Sequence, residues 1–219
     1  MAVAGYNTQI YIGGTVTAFT GETFTNTSGN IWQIDSTSKR VWSPGTVPTF
    51  YDNGIAISAG DISAIDYLFG IVTFTGSKSG PITADGDYVP LLSIAGGYSA
   101  GVTMSAADLD CSVFGAAYVQ RIIGLADLSF SAEIWDVLTT DQDPGGGTRK
   151  LLTVYNSQTL ILASFRPDSN ANEAIRSWGY LTKAEQKAGV ADMVGGSIEF
   201  VSTTRFDSAG RSVSYSKSS

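Results

Sequence analysis

Gly145-Gly146-Gly147-Thr148, followed by Arg149-Lys150, has the residue types of a phosphate cradle. Backbone N–H groups of a glycine loop can point at phosphate oxygens, and two cations would balance the charge. The spacing is not that of a Walker loop, and no strand-to-helix pattern surrounds it. Residues 141–150 therefore read as a polar Pro/Gly loop. Asp85 with Asp87, and Asp141 with Asp143, give two Asp-x-Asp pairs. Calcium needs six or more oxygens, and neither pair sits in an EF-hand frame, so turn chemistry accounts for them better. Glu133, Asp136, Glu173 and Glu199 could supply the two carboxylates of a glycosidase. Nothing in their spacing brings two of them together, and they read as charges on polar strand faces. Trp32, Trp42, Trp135 and Trp178 could stack on sugars, but core or subunit-interface packing is the better reading.

The chain has no histidine. That removes the commonest general acid/base, the usual triad base and the commonest transition-metal ligand. Cys111 is the single cysteine, so no internal disulfide or cysteine-rich metal site can form. It reads as a small buried apolar residue in a chain that folds in a reducing cytosol or never needs disulfides. No catalytic, cofactor-binding or metal-binding residue is assigned, and no enzymatic activity is expected.

The elements around these residues read as strands. The 219 residues include 25 glycines, and only 15% of side chains are charged. This mix favours many short strands joined by tight turns. Asp52-Asn53-Gly54 separates two apolar-rich runs, 47–51 and 55–57, and predicts a hairpin. Asp61 predicts the cap of a short helix carrying Ile62, Ile65 and Leu68/Phe69 on one face, with Gly70 ending it. Residues 71–75 return as a strand. Leu128, Phe130, Ala132 and Ile134 alternate with polar residues, as a half-buried antiparallel strand requires. Residues 151–155 and 160–165 read as strands buried on both faces. Thr182-Lys183-Ala184-Glu185 matches a capping box and predicts a second short helix ending near Gly189. Residues 198–201 read as a final core strand.

Gly13-Gly14 divides two N-terminal strands, 9–12 and 16–24. Residues 95–100 are small and Gly-rich, a candidate seam between halves. The expected organisation is one β domain over residues 1–206, with a possible seam near 95–101, and a polar tail or arm over 207–219. The N-terminus has neither a basic region nor an apolar core of signal-peptide form, and no apolar run reaches membrane-spanning length. Residues 1–110 carry nine acidic and three basic side chains, against eleven and ten over 111–219. The net charge of −7 leaves no basic footprint for nucleic acid.

Three stretches carry a family resemblance. Lys39-Arg40-Val41-Trp42 leads through Asp52-Asn53-Gly54 to Ile65-Asp66-Tyr67-Leu68-Phe69-Gly70-Ile71-Val72-Thr73-Phe74. Asp110-Cys111-Ser112-Val113-Phe114-Gly115 precedes Gly124-Leu125-Ala126-Asp127-Leu128-Ser129. Residues 178–200 close the pattern. Together they resemble the major tail tube proteins of long-tailed, siphovirus-like bacteriophages, over residues 5–200. A Thr often stands in that family where this chain has Ser112.

The resemblance implies a mainly β, antiparallel sandwich or barrel-like tail-tube fold with one or two short flanking helices. It implies a structural virion protein of the tail, assembled in the host bacterial cytoplasm. Copies would form rings, commonly hexameric, stacked into a hollow tube. The partners would be further copies, a tape-measure protein and tail-end proteins, with DNA passing through the lumen without specific binding and no membrane involved. No cofactor is implied. Polar or acidic strands would line the lumen, which suits the Asp-rich first half. Residues 36–50, 141–150 and both termini would bridge subunits and rings. The alternative is a carbohydrate- or receptor-binding β-sandwich, such as an adhesin or decoration protein, kept open by four tryptophans and ten tyrosines. A carboxylate-only hydrolase is a third reading.

Overall fold

The computed structural model describes residues 9–93, 97–110, 121–135, 156, 158, 160–166, 174–187, 195–207, 212–213 and 216–217. Cys111, the loop over 141–150 and the strand expected over 151–155 lie outside them. The protein is mainly antiparallel β, with two large sheets.

The smaller sheet is one continuous excursion of the chain. Its strands are β2 (Thr17–Ser28), β3 (Ile31–Ile34), β4 (Thr49–Asp52), β5 (Ile55–Ala56), β6 (Ile62–Asp66), β7 (Ile71–Phe74) and β8 (Ile82–Tyr88). Their spatial order is β5-β4-β8-β2-β3-β7-β6. The flanking strands β1 (Gln9–Gly13) and β9 (Leu91–Ser93) belong to the other sheet and pair with each other. The chain thus leaves and re-enters the larger sheet at adjacent points, pinned where Gly14 N donates to Pro90 O at 2.8 Å.

The larger sheet adds β10 (Gly97–Asp110), β11 (Arg121–Trp135), β12 (Ile161–Arg166), β13 (Ile175–Lys187) and β14 (Gly195–Ser202). Its order is β10-β11-β14-β13-β12-β1-β9. β1 also approaches β10, so the sheet curls into a half-barrel. β15 (Arg205–Phe206) pairs with β16 (Ser212–Val213), and β17 (Ser216–Lys217) adds to β13. Residues 97–101 of the expected seam belong to β10, in the same sheet as β9, and residues 216–217 of the polar tail pair with β13.

The described residues form two cores. Trp42, fully buried, sits between the sheets with Phe19, Phe24, Phe50 and Tyr67 at ring separations of 5.8–6.5 Å. Such pairs add roughly 0.5–1.5 kcal/mol each beyond the area they bury. Leu162 and Trp178 of the larger sheet, with Ala174 just before β13, pack into this core. The second core lies on the opposite face of the larger sheet, with Ile12, Leu128, Phe130, Leu181, Ile198 and Phe200. β12 serves both cores: Leu162 joins the first, while Ile161 and Ala163 join the second. The double burial expected for 160–165 is present there.

The hairpin expected at Asn53-Gly54 forms between β4 and β5. Both residues have positive φ, 51° and 78°, as a primed turn demands. The alternation over 128–134 also holds wherever the side chains are described, with Leu128, Phe130 and Ala132 buried and Ser131 and Glu133 exposed.

Both expected helices are corrected. Residues 62–66 are strand β6, followed by a turn over 67–70. The register between β6 and β7 shifts at Ile62/Ala64. An extra residue there reverses the alternation, so Ile62 and Ile65, three apart, both pack on the first core. Thr182 likewise marks a register shift inside β13, between Leu181 and Lys183. Its hydroxyl donates to the Glu199 carbonyl at 3.3 Å across the sheet. A bulged strand and an amphipathic helix therefore produced the same short-range spacing.

Candidate functional site: the sheet faces and the seam between them

The first-half aspartates hold the backbone together. Asp85 lies in β8, away from any turn, where its carboxylate accepts the Gly21 N–H at 2.7 Å and the Tyr51 hydroxyl at 3.1 Å. Gly21 falls at a register shift of β2 against β8, so Asp85 satisfies an N–H that the ladder leaves out. The same contact raises the Tyr51 pKa, because the phenol proton is held by a carboxylate. Asp66 accepts from the N–H groups of Leu68 and Phe69 and shapes the 67–70 turn. Asp52 accepts from Gly80 N at 3.1 Å. Lys39 pairs with Glu22 across the same sheet.

The charged face of the larger sheet comes from the second half of the chain. Glu133 on β11 and Glu199 on β14 are diagonal neighbours, since Ser131 pairs with Glu199 and Glu133 with Ser197. The sequence spacing gave no sign of this approach. Both are exposed, as is Glu185 on β13. Lys183 lies among them, 3.3 Å from Glu185 and 3.6 Å from Glu199. Its pKa is raised, chiefly by the Glu185 hydrogen bond. Three carboxylates and one ammonium thus share an open face. A glycosidase acid would need a carboxyl group withdrawn from water to hold its proton near neutral pH. Asp136 and Glu173, the other two carboxylates of that reading, lie outside the described residues.

Trp32, Trp42 and Trp178 are all buried, so none of these three offers a sugar a stacking platform. Trp178 is covered by the Arg205 guanidinium, 4.4 Å from the ring centroid. The side chain of Trp135 lies outside the described residues. A partly open apolar pocket on the second-core face of the larger sheet is lined by Ile10, Ile12, Phe130, Ile161, Leu181 and Phe200, among others. It belongs to the second core. Among the described residues no group of three acidic, Cys or His side chains could hold a metal ion. No helix among them is long and apolar enough to cross a membrane. Asn26 donates from Nδ2 to Gly29 O at 2.7 Å, within the β2–β3 hairpin.

The two sheets are tied at the 67–70 turn. Arg176 on β13 donates from Nη1 to the Leu68 carbonyl at 2.5 Å, and its guanidinium lies 4.5 Å from the Phe69 ring centroid. Tyr67 donates to Asp207, just beyond β15.

Exposed apolar side chains occur on edge strands of both sheets. Ile55 on β5 is 74% exposed and Met104 on β10 is 53% exposed. β10 pairs with β11 on one side and, among the described residues, has no strand paired on the other. The 121–128 half of β11 pairs with β10 alone among them.

No family model matches this chain, and no curated protein matches it. Among solved structures it is similar to a chain in the tail of an empty GTA particle, refined with C6 helical symmetry. The identity is 10% and the TM-score 0.45, over 59% of this chain and 87% of that one. It is similar, too, to a chain in the virion of a native gene transfer agent particle. There the identity is 10% and the TM-score 0.44, over 59% and 89%.

Proposed function

We propose that this chain is a structural protein of a phage-like virion tail, whose copies close into rings and stack into the hollow tube through which DNA leaves. The observation that carries this reading is β10, a fourteen-residue strand with an open edge among the described residues and the exposed Met104 upon it. A long unpaired edge is a template for another chain, and ring closure removes it. Stacking repeats a contact without closing and yields a filament. The residue-level resemblance to tail tube proteins supplies the kind of filament, along with a tape-measure protein and tail-end proteins as partners.

The Glu133, Glu185 and Glu199 face of the larger sheet is the acidic lining proposed here, in place of the first-half aspartates, four of which accept hydrogen bonds close to home. A conduit for DNA works by lacking clustered cations, because counterion release makes such clusters sticky. The chain would act as a scaffold without catalysis or cofactor.

Negative-stain electron microscopy of the concentrated full chain tests the reading. Rings or hollow tubes of uniform diameter are expected. The double change Ser105→Lys and Ala106→Lys on β10 places two charges along its edge and should abolish them without lowering the melting temperature. Wild-type protein that stays monomeric at every concentration, or lysine variants that assemble normally, would count against it.

A further inference from the structure

Arg176 is 5% exposed, on the face of β13 turned toward the smaller sheet. It sits opposite Ser164 on β12, and the row continues to Tyr11 on β1. Arg166 lies two residues past Ser164 on the same face, which makes it the diagonal neighbour of Arg176. Two guanidinium groups therefore share one patch of sheet. Arg40 approaches from the other side of the seam: its backbone packs against Gly70, the residue after Phe69.

The Nε atoms of Arg40, Arg166 and Arg176 are all buried, and none has a hydrogen-bond partner. Aromatic stacking does not satisfy them. Arg176 lies over Phe69 and Arg166 lies 5.8 Å from the Tyr11 ring centroid, but stacking uses the faces of a guanidinium and leaves the in-plane N–H donors for something else. Asp66, just before the 67–70 turn, accepts from the Leu68 and Phe69 N–H groups at Oδ1, and none of the three Nε donors is bonded to it. Burial, then the charges of Arg166 and Arg40, push the Arg176 pKa down to about 10, with Asp66 opposing. Arg40 and Arg166 are half-buried, while the three Nε atoms themselves are shielded from solvent.

We propose that Arg40, Arg166 and Arg176 form a binding site for a single oxyanion, phosphate or carboxylate, at the seam between the two sheets. Planar guanidinium groups with free in-plane donors match the oxygens of such an ion. A bound anion would bring counter-charge to three like charges in a chain that is acidic overall. The site itself stands independently of the tube reading; only the choice between a free ion and a second copy's carboxylate rests on self-association.

Calorimetric titration of the full chain with inorganic phosphate, chloride holding ionic strength constant, tests it. Saturable binding of one ion per chain is expected, weakened at least tenfold by Arg166→Gln and by Arg40→Gln. Arg166→Lys, which keeps the charge and loses the fork, should bind with intermediate strength. The melting temperature of each variant without phosphate verifies its fold. Non-saturable binding, or equal binding by wild type and both glutamine variants, would overturn the proposal. Sedimentation of the wild type with and without phosphate separates the sources. Dissociation of assemblies by phosphate marks a carboxylate of a second copy as the resident anion, and unchanged assembly marks the free ion.

Discussion

Tyr67 donates its hydroxyl proton to Asp207 Oδ2 at 2.8 Å, across 140 residues of sequence and in a buried setting. The bond joins the turn after β6 in the smaller sheet to the segment that follows β15. Beside it, Arg176 reaches the carbonyl of Leu68, the next residue. Two consecutive residues of one turn are therefore held by polar groups of opposite charge, Arg176 on the larger sheet and Asp207 just past β15. A hydrogen bond to a buried carboxylate is worth about 1.5–3 kcal/mol, more than a neutral one. Tyr67→Phe keeps the ring in the aromatic core and removes the hydroxyl that makes this bond. Urea unfolding should show a loss of about 1.5–3 kcal/mol. Asp207→Asn should cost less than Tyr67→Phe, because an amide oxygen still accepts. A neutral outcome for Tyr67→Phe would mean the turn is held by packing.

Gly70 closes the same turn at φ +64°, and an added Cβ would lie 2.7 Å from Ile34 Cγ2 and 2.9 Å from the Arg40 carbonyl. Gly54 has a comparable φ of +78° but nothing within 4 Å of its added Cβ. Gly54→Ala should therefore cost only the left-handed backbone penalty, about 1–2 kcal/mol. Gly70→Ala should cost clearly more, because Ile34 is fully buried and the carbonyl is main chain. Thermal melts of the two variants side by side check the ordering. Equal shifts would show that the turn moves to make room.

What the sequence made legible was local chemistry that tertiary structure did not alter. Asn53-Gly54 demanded a tight hairpin and formed one. Alternation over residues 128–133 required one wet face, and the double burial of β12 followed from its continuous apolar run. Bulges hid the rest. One inserted residue in β6 put Ile62 and Ile65 on one face at helical spacing. Another at Thr182 imitated a capping box. The Glu133–Glu199 neighbourhood depends on the register of β11 against β14, and the arginine seam on strands from distant parts of the chain. Neither leaves a spacing signal, because cross-strand pairing is set by which faces are buried.

Asp35 gives the acid limb of stability a specific origin. Thr23 donates to its carboxylate at 2.6 Å, and Thr25 adds a second bond. Its pKa lies below the ordinary 3.8 through the Thr23 bond first, then Thr25 and the charge of Arg40, with burial opposing. A depressed folded pKa means the contribution is complete above 3.8 and disappears as pH falls through the folded value. Asp35 is exposed, so the effect is small and screened by solvent. Thr23→Val should flatten the fall in melting temperature below about pH 4 and change little at pH 7. A slope equal to wild type would place the acid sensitivity on other carboxylates.

The acidic face of the larger sheet carries the last prediction, which depends on the tube reading. Glu133 and Glu199 are exposed and lie on adjacent strands, with Lys183 beside Glu199. Because neither side chain enters a core, Glu133→Lys with Glu199→Lys should leave folding and tube formation intact. Each change reverses one charge per subunit, and ring and stacking symmetry repeat it along the whole bore. A conduit so lined would hold phosphates through counterion release, with an affinity that falls steeply as salt rises. Wild-type tubes should pass or ignore duplex DNA, while the lysine variant should retain it at low salt and release it as salt rises. The readout is DNA retained by sedimented tubes across a salt series, and ejection rate where the variant is built into particles. Retention equal to wild type, with unchanged ejection, would put this face on the outside of the tube and return the search for the lining to the smaller sheet.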